Sequence, residues 1–322
     1  MGVLKNSIKA VLPKLLLTLL KEVKFQIKCF LFKLELKKRS KLSPFDYKEL
    51  AQDMQLVTKE YGYNAFYGLA DIIKKLEGFP LDKPLVGAVE HGVYYANIID
   101  EVDHSQDEIW TLSQTRAHFL REKFPQKKIH AFGPYIQYVK GIYDEQYVKE
   151  LKKINGKTLL VFHVHSTPHT TVSFSEDKFV QEIKRIKEKY KFETVYVNIY
   201  WNDIKSGEEK KYVEAGFKIC TAGHMYDPLF LPRLRSIIDL ADMTMGSAIG
   251  THIGYCAALG KSHYFFRIDP EYFGQDTISN LSEDEKAYYY RFVDEIERCF
   301  SLYHEKLNND DIDVIKYYWG EF

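Results

Sequence analysis

Short apolar runs alternate with helical segments along most of this sequence, and this alternation is what most restricts the possible folds. Pro84–Val89, Thr158–His163 and Phe217–Thr221 are examples of the apolar runs, and polar residues follow each of them. Strands that alternate with helices of about 10–15 residues predict βαβ units and therefore parallel sheets. The pattern begins again near residue 155, after a charged helical segment. We therefore predict an α/β fold with two parallel sheets in tandem and a cleft between them.

The predicted boundaries divide the chain into four parts. Residues 1–41 are a basic amphipathic helix, residues 42–150 contain the first sheet, and residues 151–280 contain the second. Residues 281–322 return to helical periodicity and are rich in Tyr and acidic side chains. We expect these last helices to pack back on the first domain.

The formal net charge of zero conceals a strong asymmetry. Residues 1–41 contain eleven Lys or Arg and two acidic residues, a net charge of +9, so the other 281 residues carry a net charge of −9. No other segment concentrates basic side chains in this way, which disfavours a nucleic-acid-binding body.

The basic segment is also amphipathic. Its apolar positions recur every three or four residues and so mark one face of a helix. These positions are Leu12, Leu15, Leu16, Leu19, Val23, Ile27, Phe30, Leu31 and Leu34. The longest apolar stretch, Leu15–Leu20, is far shorter than the ~20 residues that span a bilayer. The pattern predicts a helix on the surface of an anionic membrane, and the alternative is an ordinary helix whose leucines pack on the body.

Open parallel sheets bind ligands beyond the carboxyl ends of their strands, and four predicted strand ends carry polar clusters. The first cluster, Glu90-His91-Gly92, places a carboxylate and an imidazole where a general base is useful. We predict His91 or Glu90 as that base. Tyr94 and Tyr95 would lie beside the substrate that gives up its proton, the acceptor. The alternative is a surface turn with ordinary polar residues.

The other three clusters predict a nucleotide and phosphate site. His163–Thr171 offers hydroxyls, N–H groups and imidazoles to an anion, although a metal pair of His163 and His165 or a structural role stays open. Met245–His252 is a small-residue turn from a strand into a helix, whose N–H groups and hydroxyls suit a pyrophosphate, unless it serves only close packing. The residues predicted to bind the nucleotide are Ser166, Thr167, His169, Thr170, Gly223, His224, Ser247, Thr251 and His252.

Three stretches resemble the end of the nucleotide-sugar domain of GT-B glycosyltransferases: Asp242–Ser247, Ile253–Lys261 and His263–Phe266. Upstream, Glu108–Pro134 is similar to the close of the first GT-B domain. Glu90-His91-Gly92 resembles the histidine-glycine pair of bacterial surface-polysaccharide transferases, including the teichoic-acid CDP-glycerol glycerophosphotransferases. The sequence departs from the family in lacking an acid in Ile249–Leu259, where many members have a Glu-x7-Glu helix, and in lacking a His-Pro pair.

The resemblance implies two Rossmann-like domains and a peripheral glycosyltransferase on the cytoplasmic face of the inner membrane. Such an enzyme transfers a sugar from a nucleotide-activated donor to a lipid-linked or oligosaccharide acceptor during capsule or lipopolysaccharide synthesis. It works without a metal ion or other cofactor, because protein groups hold the donor phosphates. The alternatives are a glycerophosphate or pyruvyl transferase on the same scaffold, or a non-catalytic GT-B-like partner protein.

Overall fold

The computed structural model describes residues 14–94, 97–99, 104–166, 170–268, 271–274 and 281–322. Of the predicted site residues, Tyr95, Thr167 and His169 lie outside the described residues. The described chain forms two compact units. One consists of the described residues up to Lys41 together with Gln55–Lys59, and the other consists of Leu42–Met54 together with Glu60–Phe322.

The first unit is built on α1, a 26-residue helix from Lys14 to Arg39. No Gly or Pro interrupts it, and basic side chains in its last turn favour the negative end of the helix dipole. The Lys59 ammonium of the returning segment lies 5.5 Å from the ring centroid of Phe25. Among the helices that the structure describes, none combines the length and the apolar character needed to cross a lipid bilayer.

The second unit contains two parallel sheets. The first sheet has the order β1-β2-β3, formed by Ala88–Val89, Glu108–Thr111 and Lys128–Ala131. The strands of the second sheet are β4 (Thr158–Phe162), β6 (Thr194–Asn198), β7 (Lys218–Cys220), β8 (Met243–Gly246) and β9 (His263–Phe265). They lie in the order β7-β6-β4-β8-β9 and are also parallel throughout. A separate antiparallel pair joins β5 (Thr170–Ser173) and β10 (Glu271–Gly274).

Helices connect and cover these strands. Those before and around the first sheet are α2 (Tyr47–Leu50), α3 (Leu69–Glu77) and α4 (Gln114–Lys123), with 3-10 turns at Gly62–Gly68 and Tyr135–Tyr138. Those of the second sheet are α5 (Glu145–Asn155), α6 (Glu176–Tyr190), α7 (Trp201–Ser206), α8 (Lys210–Glu214), α9 (Phe230–Leu240) and α10 (Thr251–Ala258). The chain ends in α11 (Glu283–Phe300) and α12 (Asn309–Trp319), each opened by a capping box.

The larger apolar cluster of this unit draws on both sheets and on the last two helices. Val89 and Trp110 of the first sheet belong to it, as do Leu160 and Phe162 of the second and Trp319 of α12. A second cluster, which includes Leu159, Val161 and Phe179, covers the other face of β4 beneath α6. The predicted α/β class, with two parallel sheets preceded by a helix, is therefore confirmed.

Candidate functional site

The two strands that flank the predicted phosphate site are neighbours in the second sheet. Phe162 at the end of β4 pairs with Gly246 at the end of β8. The strand order runs outward in both directions from this pair, so the connections leave β4 and β8 on opposite sides and open a crevice at their carboxyl ends. The predicted ligands Ser166, Ser247, Thr251 and His252 all follow these two strands. Thr170 lies further along, in β5.

The loop after β8 presents polar atoms that have no other use in the fold. Ser247 is 2% exposed, and its hydroxyl has no hydrogen-bond partner within the part of the chain that the structure describes. His252 is partly buried, and its Nε2, which lies beside Gly246, also has no hydrogen-bond partner among the described residues. The N-cap residue of α10 is Gly250, which has no side chain to cap the helix, so the first N–H groups of α10 need other hydrogen-bond partners. A buried hydroxyl, an imidazole nitrogen and a helix N-terminus together suit a phosphate group.

The loop after β1 reaches the same helix N-terminus from the first sheet. The backbone N–H of Val93 donates a hydrogen bond to Oγ1 of Thr251 at 3.1 Å. A Cβ atom on Gly92 would lie 2.6 Å from that oxygen, so the approach requires a glycine here. The Glu90-His91-Gly92 turn and the predicted donor loop, which lie 158 residues apart between Val93 and Thr251, therefore adjoin in the fold.

Histidines line the crevice from both sheets. The His91 ring lies against Tyr63, Phe66 and Tyr94, with centroid separations of 5.1, 5.9 and 6.2 Å. The ring of His165, after β4, lies 4.8 Å from that of Tyr200. Desolvation lowers the pKa of His165, a hydrogen bond with the Ser166 backbone opposes this, and the His91 imidazole adds a smaller lowering.

His252 belongs to the same group. Its ring stacks on Phe162 with centroids 4.5 Å apart. Desolvation, followed by the neighbouring His263 and His165, holds the pKa of His252 well below its usual value. At neutral pH this imidazole is therefore uncharged and can offer a single N–H or a lone pair to a ligand.

The two candidate bases have very different surroundings. The Glu90 carboxylate is fully buried and accepts hydrogen bonds from His104 at 2.6 Å, Thr111 at 2.5 Å and Arg116 at 2.7 Å. Burial raises its pKa, but the Arg116 charge and the hydrogen bonds from His104 and Arg116 outweigh burial, so the pKa of Glu90 is lowered. A carboxylate held in this way is a weak proton acceptor and joins β1, β2 and α4. His91 is the half-buried member of the pair and lies among the aromatic rings at the crevice.

A small opening lies on the first-sheet side of this turn, and its cavity volume of about 10 Å³ leaves room for about one water molecule. It is lined by Gly92, Val93, Tyr94, Thr111, Leu112, Ser113, Arg116, Tyr288 and Tyr318. The Arg116 guanidinium lies 4.6 Å from the centroid of the Tyr94 ring, and its Nη1 is buried with no partner among the described residues. Tyr94, predicted beside the acceptor, thus lines an aromatic opening next to His91.

Gly223 and His224 follow β7, two strands away from β4. The His224 ring is buried, lies 4.1 Å from Trp201 and 5.0 Å from Tyr226, and its Nδ1 accepts the Tyr226 N–H at 3.2 Å. Gly223 adopts a left-handed φ of +96°. Their predicted contact with the nucleotide stays a prediction, since these interactions account for both residues structurally.

Two residues of the site, Arg116 and Asp203, were not predicted from the sequence. Asp203 of α7 is 2% exposed and accepts the Ser166 N–H at 3.1 Å, and burial raises its pKa to about 6 despite that hydrogen bond. His163, weighed above as one half of a metal pair, instead shares a hydrogen bond of 2.9 Å between its Nδ1 and the Tyr212 hydroxyl. Neither Asp203 nor Arg116 stands in a recognisable motif, so only the fold brings them to the site. Within the described ranges, no group of three or more His, Cys, Asp or Glu converges as a set of metal ligands.

No protein-family model and no curated protein sequence matches this chain. Solved structures that are similar to it include the following two. A UDP-GlcNAc 2-epimerase from Neisseria meningitidis, bound to UDP-GlcNAc, has a TM-score of 0.38 and 11% identity, covering 77% of this chain and 71% of that chain. TarM has a TM-score of 0.30 and 9% identity, covering 78% of this chain and 48% of that chain. At these values the similarity identifies neither a substrate nor a reaction.

Proposed function

We propose that this protein is a GT-B-type glycosyltransferase that uses a nucleotide-activated sugar. The observation that carries the proposal is a group of available hydrogen-bond donors at the carboxyl ends of the paired strands β4 and β8. These donors are the buried Ser247 hydroxyl and the N-terminus of α10, whose N-cap residue Gly250 has no side chain. This group adjoins a second polar turn, from the first sheet, that contains His91. A phosphate site beside an imidazole matches the chemistry that the sequence resemblance implies.

The donor's phosphates would lie against α10. N–H groups at a helix N-terminus and nearby hydroxyls stabilise an anion, and they are already in place before the reaction begins. Ser247, Thr251 and His252 would hold the phosphate oxygens, and Ser166 would approach from the β4 side. These donors would take up the negative charge that develops as the nucleotide leaves.

The acceptor would lie on the first-sheet side, near Tyr94. In the transfer, an acceptor hydroxyl oxygen forms a bond to the anomeric carbon while the bond from that carbon to the phosphate oxygen breaks. His91 would take the hydroxyl proton, since histidine is the side chain that most often serves as a general base. Glu90 would act as a positioning residue, because its carboxylate holds Arg116 and the end of β1.

The biological setting follows from the same resemblance. We propose that the acceptor is a lipid-linked or oligosaccharide precursor of a bacterial surface polysaccharide. The proposal assigns phosphate binding to protein groups and needs neither a metal ion nor another cofactor.

A thermal-shift screen of the full chain against UDP, CDP, CMP, GDP and their sugars tests the proposal. A ligand present at about 100 times its Kd stabilises the folded state by about 2.7 kcal/mol. We expect one nucleotide and its sugar derivative to raise the Tm. We also expect the free nucleotide to be released from that derivative when an acceptor is added. Stabilisation by CDP-glycerol with release of CMP would instead indicate glycerophosphate transfer. If no nucleotide or nucleotide sugar raises the Tm, the chain is a non-catalytic partner and the proposal fails.

A further inference from the structure

Helix α1 exposes a continuous apolar stripe. Eight large apolar side chains lie within about 120° of its circumference, given 3.6 residues per turn. Each of these eight is between 41% and 62% exposed. They are Leu16, Leu19, Leu20, Val23, Ile27, Phe30, Leu31 and Leu34. A patch of this length is unusual on a soluble surface and marks an interaction site.

The opposite face of α1 makes the contacts within the fold. Phe25, Phe32 and Leu36 lie about 180° from the centre of the stripe, and all three are half-buried. Phe25 carries the cation–π contact with Lys59 of the returning segment. The helix therefore has a separate face for its own unit, so folding of this unit does not require the stripe.

Basic side chains border the stripe. Lys24 and Lys33 lie on its two sides, and Lys37 and Lys38 lie at its carboxyl end. Residues 14–41 contain nine basic and two acidic side chains. An apolar stripe between lysines matches the boundary between acyl chains and anionic headgroups, because the apolar side chains enter the former while the ammonium groups remain at the latter.

We infer that α1 binds the surface of an anionic lipid bilayer, lying in its plane with the stripe inserted. The positive charge of α1 favours an anionic membrane over a second copy of the chain as the partner of the stripe. Pairing two stripes would bring two strongly basic helices together, and their charges would repel. The inference is independent of the proposed chemistry, because it uses no residue of the crevice.

Vesicle flotation of the full chain tests the inference. The vesicles are phosphatidylcholine alone or phosphatidylcholine with phosphatidylglycerol, each at low and high salt. We expect the protein to float with the anionic vesicles at low salt and to lose much of this binding at high salt, where charges are screened. Failure to float with anionic vesicles would overturn the inference.

Matched variants separate the stripe from the charge. Replacing Leu19 and Phe30 with Gln preserves the charge, and we expect it to weaken binding about tenfold or more. Replacing Lys24 and Lys33 with Gln preserves the stripe, and we expect a similar loss, confined to low salt. Thr18→Gln, exposed on another face, is the control and should bind as the parent does.

Two further readings decide the outcome. If the parent forms a dimer that Leu19→Gln with Phe30→Gln dissociates, and no variant binds vesicles, the stripe is a protein interface and the inference is wrong. The nucleotide-induced Tm shift is measured on each variant as well. Retained nucleotide binding with lost flotation supports the inference, whereas lost nucleotide binding with retained flotation affects only the proposed function.

Discussion

The buried Glu90 carboxylate, at the end of β1, is hydrogen-bonded to Thr111 of β2 and Arg116 of α4. Its ion pair with Arg116 is almost fully shielded from water. Glu90→Gln keeps the side-chain volume but leaves the Arg116 charge without its counter-ion. We expect the free energy of unfolding to fall by about 3–5 kcal/mol, measured by denaturant titration. The control is Glu108→Gln, which removes a partly exposed pair with His130 and should cost about 1 kcal/mol or less. Equal costs for the two variants would contradict the buried role of Glu90.

His91 is assigned the catalytic proton transfer, and its replacement distinguishes it from its neighbour. Removal of a general base lowers kcat by about 10²–10⁴-fold. We therefore expect His91→Ala to lose turnover in that range while the donor Kd changes little, because we propose that the donor phosphates lie against α10. Turnover within a few-fold of the parent would place the base elsewhere and leave the Glu-His-Gly turn with a structural role.

His163 should make stability depend on pH. Burial, and after it the nearby His165, lowers its pKa from 6.5 to about 3 in the folded state. The unfolded state therefore binds more protons between these values, so stability falls as the pH falls from neutral. By linkage, this histidine alone costs about 2 kcal/mol between about pH 7 and pH 5.

The matched variant is His163→Asn, which keeps a polar atom near the Tyr212 hydroxyl. We expect the loss of stability between those two pH values to shrink by about the same 2 kcal/mol. Denaturant unfolding at both pH values gives the measurement. An unchanged pH dependence would show that His163 is not the titrating group.

At the scale of elements, α10 and α12 pack closely because Gly254 of α10 has no side chain. A Cβ atom on Gly254 would overlap the Trp319 ring. We expect Gly254→Ala to destabilise the fold by about 1–3 kcal/mol through overpacking. Trp319→Ala should relieve the overlap, so the double variant should be no less stable than Trp319→Ala alone. Additive costs, measured by denaturant unfolding, would show that the two helices do not meet at this point.

The elements also show where sequence reasoning succeeds and fails. Thr158–Phe162 and Thr194–Asn198 are predictable as strands because each is a bounded, apolar and β-branched run. The sequence also predicts a single helix over Asp46–Glu60, and this prediction is wrong beyond Leu50, where α2 ends; Gln55–Lys59 belongs to the unit of α1. The sequence predicts a polar loop over Val164–Phe174, where the structure has β5. This strand is missed because its partner β10 is about 100 residues away and leaves no local signal.

For the whole molecule, the sequence predicts which loops carry polar clusters but not which of them meet. The neighbourhood of β4 and β8 depends on the strand order, and the Val93 to Thr251 contact depends on how the two sheets come together. The buried pairing of Glu90 depends on the same long-range geometry, which is why the sequence favours His91 over Glu90 as the base only slightly. Arg116 and Asp203 enter the site for that reason alone.

The most direct test of the account is isothermal titration of the best nucleotide from the screen into a matched pair of serine variants. Ser247 follows β8 and Ser262 precedes β9. Both are buried and both hydroxyls lack partners among the described residues, but only Ser247 lies at the carboxyl edge of the second sheet. A hydrogen bond to a charged phosphate contributes about 1.5–3 kcal/mol. The account predicts that Ser247→Ala weakens the Kd by about 10- to 100-fold, while Ser262→Ala leaves it unchanged. Equal affinities in the two variants would contradict a phosphate site between β4 and β8.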